Sequence, residues 1–285
     1  MKEQPNASAS PTPVYPDPCA LGPAAIEKKA ATIGKGKANL TGAQSFVLAM
    51  LAGFFIGIGA MFMLLVKSDA SLSFAASSVF GAMAFSVGLC LVLVAGAELF
   101  TGNSLMIIGR MHGNYSWGKL LRSWGIVYVG NLCGSLLLVA LLVGANYAGM
   151  GKGAVGATMV SVAAAKTALP WGVIFFRGIM CNVLVCLAVW MGFGAKTVID
   201  KFLCAILPVT CFVACGFEHC VANMFFIPMG LVANSMGLAG EGAATASLTL
   251  GGFLSNLTAA TLGNLVGGVI LIGLSYWFVY GRASK

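Results

Sequence analysis

Residues 96–103 read GAELFTGN and residues 216–223 read GFEHCVAN, and both copies lie inside long apolar stretches. They share Gly-x-Glu, with Asn five residues after the glutamate. A second shared pattern, Gly-Asn-Leu-x-Gly, follows each copy in the same order, at residues 130–134 and 263–267. Two similar halves, each with a polar interruption in an apolar segment, are typical of membrane transporters and channels. The halves differ at one chemically important position, where the second has His219 and the first has Leu99.

The composition predicts an all-α membrane protein. Of the 285 residues 59% are hydrophobic and only 8% are charged, which is too few charged residues to cover a soluble globule of this size. Stretches long enough to cross a bilayer lie near residues 43–66, 76–100, 122–145, 171–193, 202–235 and 256–281. The second stretch stops at Glu98 and resumes at residues 104–108, and the fifth contains the pair Glu218-His219. We therefore expect six transmembrane spans, with the second and fifth interrupted.

Basic residues predict the orientation, because short cytoplasmic loops carry an excess of Lys and Arg. One side would carry most of them: Lys28, Lys29, Lys35, Lys37, Arg110, Lys119, Arg122, Lys196, Lys201, Arg282 and Lys285. The other side would carry only Lys67, Lys152 and Lys166. We expect a multi-pass protein of the cytoplasmic membrane with both termini in the cytoplasm. The net charge of +8 then reflects a solvated rim rather than a surface for nucleic acid.

Four regions are predicted along the chain. Residues 1–23 form a Pro-rich disordered tail, residues 24–42 an interfacial helix, residues 43–281 the six-span domain and residues 282–285 a cytoplasmic tail. Most of the nine cysteines lie in the spans, where Cys behaves as a small hydrophobic residue. Neither a Cys-x-x-Cys pair nor a His cluster accompanies them, so we expect no disulfide, metal site or cofactor.

Glycine pairs predict where helices cross closely. Gly-x-x-x-Gly occurs at residues 53–57, 130–134 and 263–267, and each pair places two glycines on one helix face. Asn131 and Asn264 lie beside the last two pairs. We assign Asn131 a structural role. For Asn264 a structural role and a pore role remain open.

Ionisable residues inside the predicted spans are few: Glu98, Glu218, His219 and Arg177. Each is unfavourable in lipid without a partner or a water-lined cavity. We expect both glutamates to support the helix breaks by accepting from freed backbone N–H groups, with a substrate role as the alternative. His219, beside a break, is expected to line a pore and to carry protons, since histidine titrates near neutral pH. His112, in a loop, is expected to be solvated.

Several motifs resemble those of the formate/nitrite transporter family. They are AGAELFTG at residues 95–102, GFEHCVANM at residues 216–224 and CNVLVCLAVW at residues 181–190. The resemblance runs from about residue 40 to residue 281 and implies a formate-channel-like member. It also implies an aquaporin-like fold of two inverted repeats, one pore per protomer, and a homopentamer.

The resemblance implies a role for each matched residue. His219 is similar to the central pore histidine and Thr101 to its partner, while Asn182 and Asn264 resemble pore asparagines. Lys166 is similar to a vestibule lysine that attracts anions. Two constrictions are implied, a cytoplasmic one formed by Leu99, Phe100 and Val185, and an outer one formed by Phe85, Leu89 and Phe212. Cys220 is a mild departure, because serine is common after the histidine.

The same resemblance gives the substrate class. MFFIPMG at residues 224–230 resembles the formate-channel branch, so formate is the expected anion, with nitrite, hydrosulfide, acetate or lactate as alternatives. Passage would be proton-coupled. A bare anion crossing an apolar ring would lose hydration worth tens of kcal/mol in the idealised limit. Protonating a carboxylate at a pH about three units above its pKa costs only roughly 4 kcal/mol. A water or glycerol channel is disfavoured because Asn-Pro-Ala boxes are missing. An enzyme is disfavoured because the intramembrane polar groups are too few and dispersed.

Overall fold

The computed structural model describes residues 20–240 and 242–282, and these residues form helices joined by turns and loops. The helices are α1 (Pro23–Ala38), α2 (Gly42–Lys67), α3 (Phe74–Phe85), α4 (Val87–Leu91), α5 (Met106–Met111), α6 (Trp117–Gly144), α7 (Ala154–Thr167), α8 (Trp171–Gly194), α9 (Val198–Ala214), α10 (Cys220–Ser235) and α11 (Leu250–Leu265). A π-helical turn, Val92–Gly96, follows α4, and α11 continues in largely π-helical form to Gly281. Of the predicted tail at residues 1–23, residues 1–19 lie outside the described residues, as do residues 283–285.

The prediction of six spans with interruptions in the second and fifth is confirmed. Five helical stretches are long and apolar enough to cross a membrane: Gly42–Lys67, Phe74–Gly96, Trp117–Gly144, Trp171–Gly194 and Leu250–Gly281. The remaining crossing is divided between α9 and the shorter apolar helix α10. The first break occupies residues 97–101 and leads into α5, and the second occupies residues 215–219 and leads into α10.

Hydroxyl side chains set where the main helices begin. Thr41 caps α2 in a reciprocal arrangement, since its hydroxyl accepts from the Gln44 N–H while the Gln44 amide oxygen accepts from the Thr41 N–H. Thr197 and Asp200 do the same at α9. These caps satisfy backbone donors that the helix itself leaves free.

The predicted glycine crossings join two helices within each half of the chain. A Cβ atom at Gly53 would overlap the backbone of Asn131, and one at Gly134 would overlap the backbone of Met50, so α2 and α6 touch through their backbones. In the second half, a Cβ at Gly263 would overlap the Phe175 carbonyl and one at Gly267 the Ile179 carbonyl. The pairs α2/α6 and α8/α11 are therefore equivalent crossings of the two repeats.

Helix α7 lies between the apolar stretches 122–145 and 171–193, where the sequence predicts no span. Its residues are mostly alanine, valine and other small side chains, so no polar and apolar periodicity marks it. Its position before α8 matches that of α1 before α2, so each repeat begins with a short helix preceding its first span.

The expectation that His112 is solvated is wrong. Its Nε2 lies 2.6 Å from Oε1 of Glu27 on α1, and the Glu27 side chain is fully buried. The two ends of this contact are 85 residues apart in the chain. The pair fixes α1 to the segment after α5, where Ile26, Ala30 and Ile108 form part of a shared apolar cluster.

Candidate functional site

One asparagine, Asn131, holds the first break in place. The polypeptide leaves the helix after Gly96, and the Glu98 N–H donates to the Leu48 carbonyl of α2 at 3.2 Å. Asn131 Oδ1 accepts from the Phe100 N–H at 2.9 Å, while its Nδ2 donates to the carbonyls of Ala49 at 2.8 Å and Glu98 at 2.9 Å. The carboxamide thus supplies the hydrogen bonds that the interrupted helix has lost.

The second break repeats this arrangement. The Glu218 N–H donates to the Arg177 carbonyl of α8 at 3.4 Å. Asn264 Oδ1 accepts from the Cys220 N–H at 2.9 Å, and its Nδ2 donates to the carbonyls of Gly178 at 2.8 Å and Glu218 at 2.9 Å. Leu48 and Arg177 are therefore equivalent positions in the two repeats, as are Asn131 and Asn264.

Each glutamate binds a lysine and an asparagine. Lys37 Nζ lies 2.8 Å from Glu98 Oε1, and Asn103 Nδ2 donates to Oε2 at 2.7 Å. In the second repeat, Lys166 Nζ lies 2.9 Å from Glu218 Oε1 and Asn223 Nδ2 donates to Oε2 at 2.6 Å.

The donors to the two carboxylates differ from those expected. Freed backbone N–H groups are the donors expected from the sequence, whereas lysine and asparagine side chains are the donors in the structure. An ammonium is the stronger partner for a buried carboxylate, and Asn131 and Asn264 already bind the backbone of the two breaks.

His219 is bound at both ring nitrogens. Its Nδ1 accepts from the Ala222 N–H at 3.1 Å, so the imidazole caps α10. Because a backbone N–H can only donate, Nδ1 is unprotonated and the neutral ring carries its proton on Nε2. Nε2 lies 2.8 Å from the Thr101 hydroxyl of the first break. The ring is thus fixed between the two repeats, and its exposed fraction is 2%.

Three cavities follow one another along α2 and α8. The Lys166-side vestibule, about 400 Å³, reaches Met63 and Arg177. The Lys37-side vestibule, about 530 Å³, reaches Leu48 and Val189. Between them a central chamber of about 10 Å³ is lined by Ile56, Phe85, Leu89, Leu99, Val185, Val209, Phe212 and His219. At 1.5 Å per helical residue, Leu48 and Met63 lie about 22 Å apart on α2, so the vestibules open toward opposite ends of the bundle.

Apolar side chains separate the chamber from each vestibule. Phe85, Phe212 and His219 line both the chamber and the Lys166-side vestibule. Leu99 lines both the chamber and the Lys37-side vestibule. A cavity of about 10 Å³ is near the lower limit for one water molecule. The pathway is therefore narrowed in this structure to a chamber of about 10 Å³, with apolar side chains at its border with each vestibule.

Most of the residues predicted for the site meet here. His219, Thr101, Phe85, Leu89, Phe212, Leu99 and Val185 lie at the chamber or contact it, while Lys166 and Glu218 line one vestibule and Glu98 lines the other. The Phe100 ring instead packs against Tyr128 of α6, with ring centroids 4.9 Å apart. It does not belong to the lining formed by the described residues.

Asn182 and Asn264 lie behind the lining. Asn182 Nδ2 donates to the Asn264 carbonyl at 2.6 Å and to the Ser104 hydroxyl at 3.1 Å, and both asparagines are fully buried. Their carboxamides bind the backbone and Ser104, and they do not line the three cavities as the described residues define them. Their role as pore asparagines stays a prediction.

Lys37 is a site residue that was not predicted from the sequence. The sequence predicts for it only a contribution to the orientation in the membrane, yet it is the equivalent of Lys166. A signal was present, because Lys37 precedes Leu48 by the same number of residues as Lys166 precedes Arg177. Aligning the two halves beyond their motifs would have found it.

Two vestibules separated by a narrow apolar chamber, with one imidazole bound between two helix breaks, define a membrane channel or transporter for small solutes. The family model for formate/nitrite transporters matches residues 24–278. The chain belongs to this family, and the family predicted from the motifs is confirmed. Its members are channels and transporters rather than enzymes.

Known relatives align with most of the chain. The formate channel FocA of Escherichia coli (strain K12) is 37% identical over 273 residues, covering 93% of this chain and 96% of FocA. The nitrite transporter NirC of the same strain is 33% identical over 244 residues, covering 84% of this chain and 85% of NirC. A solved structure described as a pentameric formate channel with formate bound aligns with a TM-score of 0.75 at 37% identity, covering 84% of this chain and 97% of that one.

Proposed function

We propose that this protein is a homopentameric formate channel of the cytoplasmic membrane, in which passage is coupled to a proton through His219. The observation that carries the proposal is the position of His219, which lines both the Lys166-side vestibule and the central chamber. The similarity to FocA and to the formate-bound pentamer supports formate and the pentamer. The distribution of basic residues supports placing the Lys37-side vestibule in the cytoplasm.

The apolar barriers favour neutral solutes. An unpaired ion loses hydration worth tens of kcal/mol in the idealised limit when it enters an apolar medium. Neutralising a carboxylate at a pH about three units above its pKa costs only roughly 4 kcal/mol. The cheaper path is therefore to attract the anion into a vestibule, protonate it beside His219, and let the neutral acid pass Leu99.

The geometry of His219 suggests how its proton is controlled. In the neutral ring Nε2 already carries a proton, so a second proton enters at Nδ1 and displaces the Ala222 N–H. Transfer of that Nδ1 proton to a carboxylate oxygen forms the neutral acid and leaves the nitrogen its electron pair. The ring can then accept from Ala222 again. Proton delivery is thereby coupled to release of the cap on α10.

The size of the chamber favours the smallest acids. Formate is the smallest carboxylate, and it needs less expansion of a 10 Å³ space than acetate or lactate. The similarity to NirC keeps nitrite as the second candidate, and hydrosulfide is also small.

Flux of labelled formate into proteoliposomes, with and without a pH gradient, tests the proposal. We expect protein-dependent uptake that the gradient accelerates, and competition strongest from nitrite and hydrosulfide, then acetate, then lactate. Uptake equal to that of protein-free vesicles would reject formate transport. Uptake indifferent to the gradient would reject proton coupling.

Leu99→Ala should widen the barrier on the Lys37 side. The side chain is buried and is shared by the chamber and that vestibule, so truncation joins the two spaces. We expect lactate flux, relative to formate flux, to rise about tenfold in the same proteoliposome assay, which corresponds to a lowering of the barrier by about 1.4 kcal/mol.

The matched control is the neighbouring Phe100→Ala, whose ring packs on Tyr128 instead. We expect this variant to keep the wild-type ratio of lactate to formate flux. An equal rise in both variants would place Phe100 in the barrier and contradict the assignment of the barrier to Leu99.

A further inference from the structure

The two vestibules are equivalent in backbone but differ in charge. Among the described residues, the Lys166-side vestibule is lined by three cationic side chains, Lys67, Lys166 and Arg177, and one carboxylate, Glu218. The Lys37-side vestibule is lined by one of each, Lys37 and Glu98. Because each lysine–glutamate pair is neutral as a unit, the difference lies in Lys67 and Arg177.

Lys67 presents an uncompensated charge. It is the last residue of α2, and its alkyl stem lies across Gly81 of α3, where a Cβ atom would be 3.4 Å from Lys67 Cγ. Within the described residues its ammonium makes no hydrogen bond or ion pair. The acidic residue next along the chain, Asp69, is exposed, is bound by the N–H and hydroxyl of Ser71, and does not line the vestibule.

Arg177 is also unpaired with a carboxylate in the described structure. Its Nη1 donates only to the Gly216 carbonyl at the second break, at 3.4 Å, so the guanidinium charge remains available to the vestibule. The equivalent position in the other repeat is Leu48, which lines the opposite vestibule. The two-fold related scaffold thus carries a cation on one side and an apolar side chain on the other.

The remaining lysines do not restore the symmetry. The position equivalent to Lys67 is Lys196, which lies beyond the end of α8, is exposed, and does not line the Lys37-side vestibule as described. Lys28, Lys29 and Lys35 lie on the exposed face of α1. Exposed charges in open solvent are screened over about 8 Å at physiological ionic strength, and charges lining a cavity less so.

We infer that Lys67 and Arg177 make the Lys166-side vestibule the high-affinity entrance for anions, so that transport of a given anion has a lower KM from that side than from the other. The inference rests on the proposed transport of small anions and adds two residues and a direction to it. The cations raise the local concentration of anions before neutralisation and do not touch His219.

The test compares KM for formate from the two sides of sealed vesicles. Vesicles in which an added N-terminal tag is protected present the Lys166-side vestibule outward, because α1 lies on the Lys37 side. We expect a lower KM from the Lys166 side at low salt, and about a tenfold rise in that KM in the variant Lys67→Met/Arg177→Gln. The KM from the other side should stay within about twofold, and the difference between the sides should shrink as salt rises.

Lys196→Met is the matched control, because it removes one charge at the equivalent but exposed position, and it should leave both KM values unchanged. Leu48→Arg should lower the KM from the Lys37 side. Equal KM values from both sides of the wild type, or an equal effect of Lys196→Met and Lys67→Met/Arg177→Gln, would overturn the inference while leaving formate transport intact. A wild type that carries none of the candidate anions would instead overturn the proposed function and this inference with it.

Discussion

Replacing His219 by Phe should reduce formate uptake driven by a pH gradient to the level of protein-free vesicles. The imidazole is the titratable group shared by the Lys166-side vestibule and the central chamber, and Phe offers neither a proton nor an acceptor. A formate ion reaching this point would then have to cross the apolar barrier charged, or bring its proton from the vestibule. The measurement is the initial uptake rate at several external pH values with a fixed internal pH.

His219→Asn separates proton transfer from helix capping. His219→Phe also removes the cap on α10, and loss of a cap destabilises by about 1 kcal/mol. Asparagine is among the best capping residues, so His219→Asn should keep α10 in place while carrying no proton. We expect it to fold like the wild type and to show no uptake that the pH gradient accelerates.

The proton relay fails if His219→Phe, once shown by thermal unfolding to be folded, keeps the pH dependence of the wild type. It also fails if His219→Asn keeps that dependence. A low flux in His219→Phe that His219→Asn restores together with its pH dependence would show that the imidazole only caps α10.

Glu218→Ala should destabilise the protein by about 3–5 kcal/mol, because it leaves a largely buried ammonium without its counter-charge. Glu218 Oε1 binds Lys166, and Oε2 accepts from Asn223 at 2.6 Å and from Asn256 of α11 at 3.3 Å. The side chains of Lys166 and Glu218 are only 15% and 3% exposed, so water can replace little of what is lost. Thermal unfolding of the purified protein in detergent measures the effect.

Two further variants show whether burial is the cause. Glu98→Ala should cost less, because Lys37 is 22% exposed and a single asparagine amide donates to the Glu98 carboxylate. The double variant Lys166→Met/Glu218→Leu should recover much of the stability lost in Glu218→Ala, since removing both charges leaves no unpaired ion. A loss in Glu98→Ala as large as in Glu218→Ala, or no recovery in the double variant, would contradict this account.

Local pattern in the sequence was enough for much of the fold. Apolar stretches of bilayer length predict the spans, because the hydrocarbon layer fixes the length of helix that can cross it. A glutamate and a glycine inside such a stretch predict the breaks, and glycine pairs predict the crossings of α2 with α6 and of α8 with α11. The family motifs carry the resemblance, and the resemblance predicts that Thr101 is the partner of His219.

Other predictions failed because their evidence was not local. Helix α7 has no amphipathic pattern by which it could be predicted. The residues around His112 do not indicate its contact with Glu27, which lies 85 residues away in the chain. Backbone N–H groups close in sequence are the predicted donors to the carboxylates of Glu98 and Glu218, whereas their lysine partners lie 61 and 52 residues away.

The sequence by itself determined that the chain crosses a membrane six times, that two crossings are broken at equivalent points, and that only the second break carries an imidazole. These features follow from hydropathy and repeated motifs, and both depend only on residues within a few helical turns of one another. Only the tertiary structure decided which donor reaches each carboxylate, that His219 caps α10 through Ala222, and that Lys67 and Arg177 share one vestibule. Such contacts join residues remote in the chain, and the packing of whole helices sets their distances.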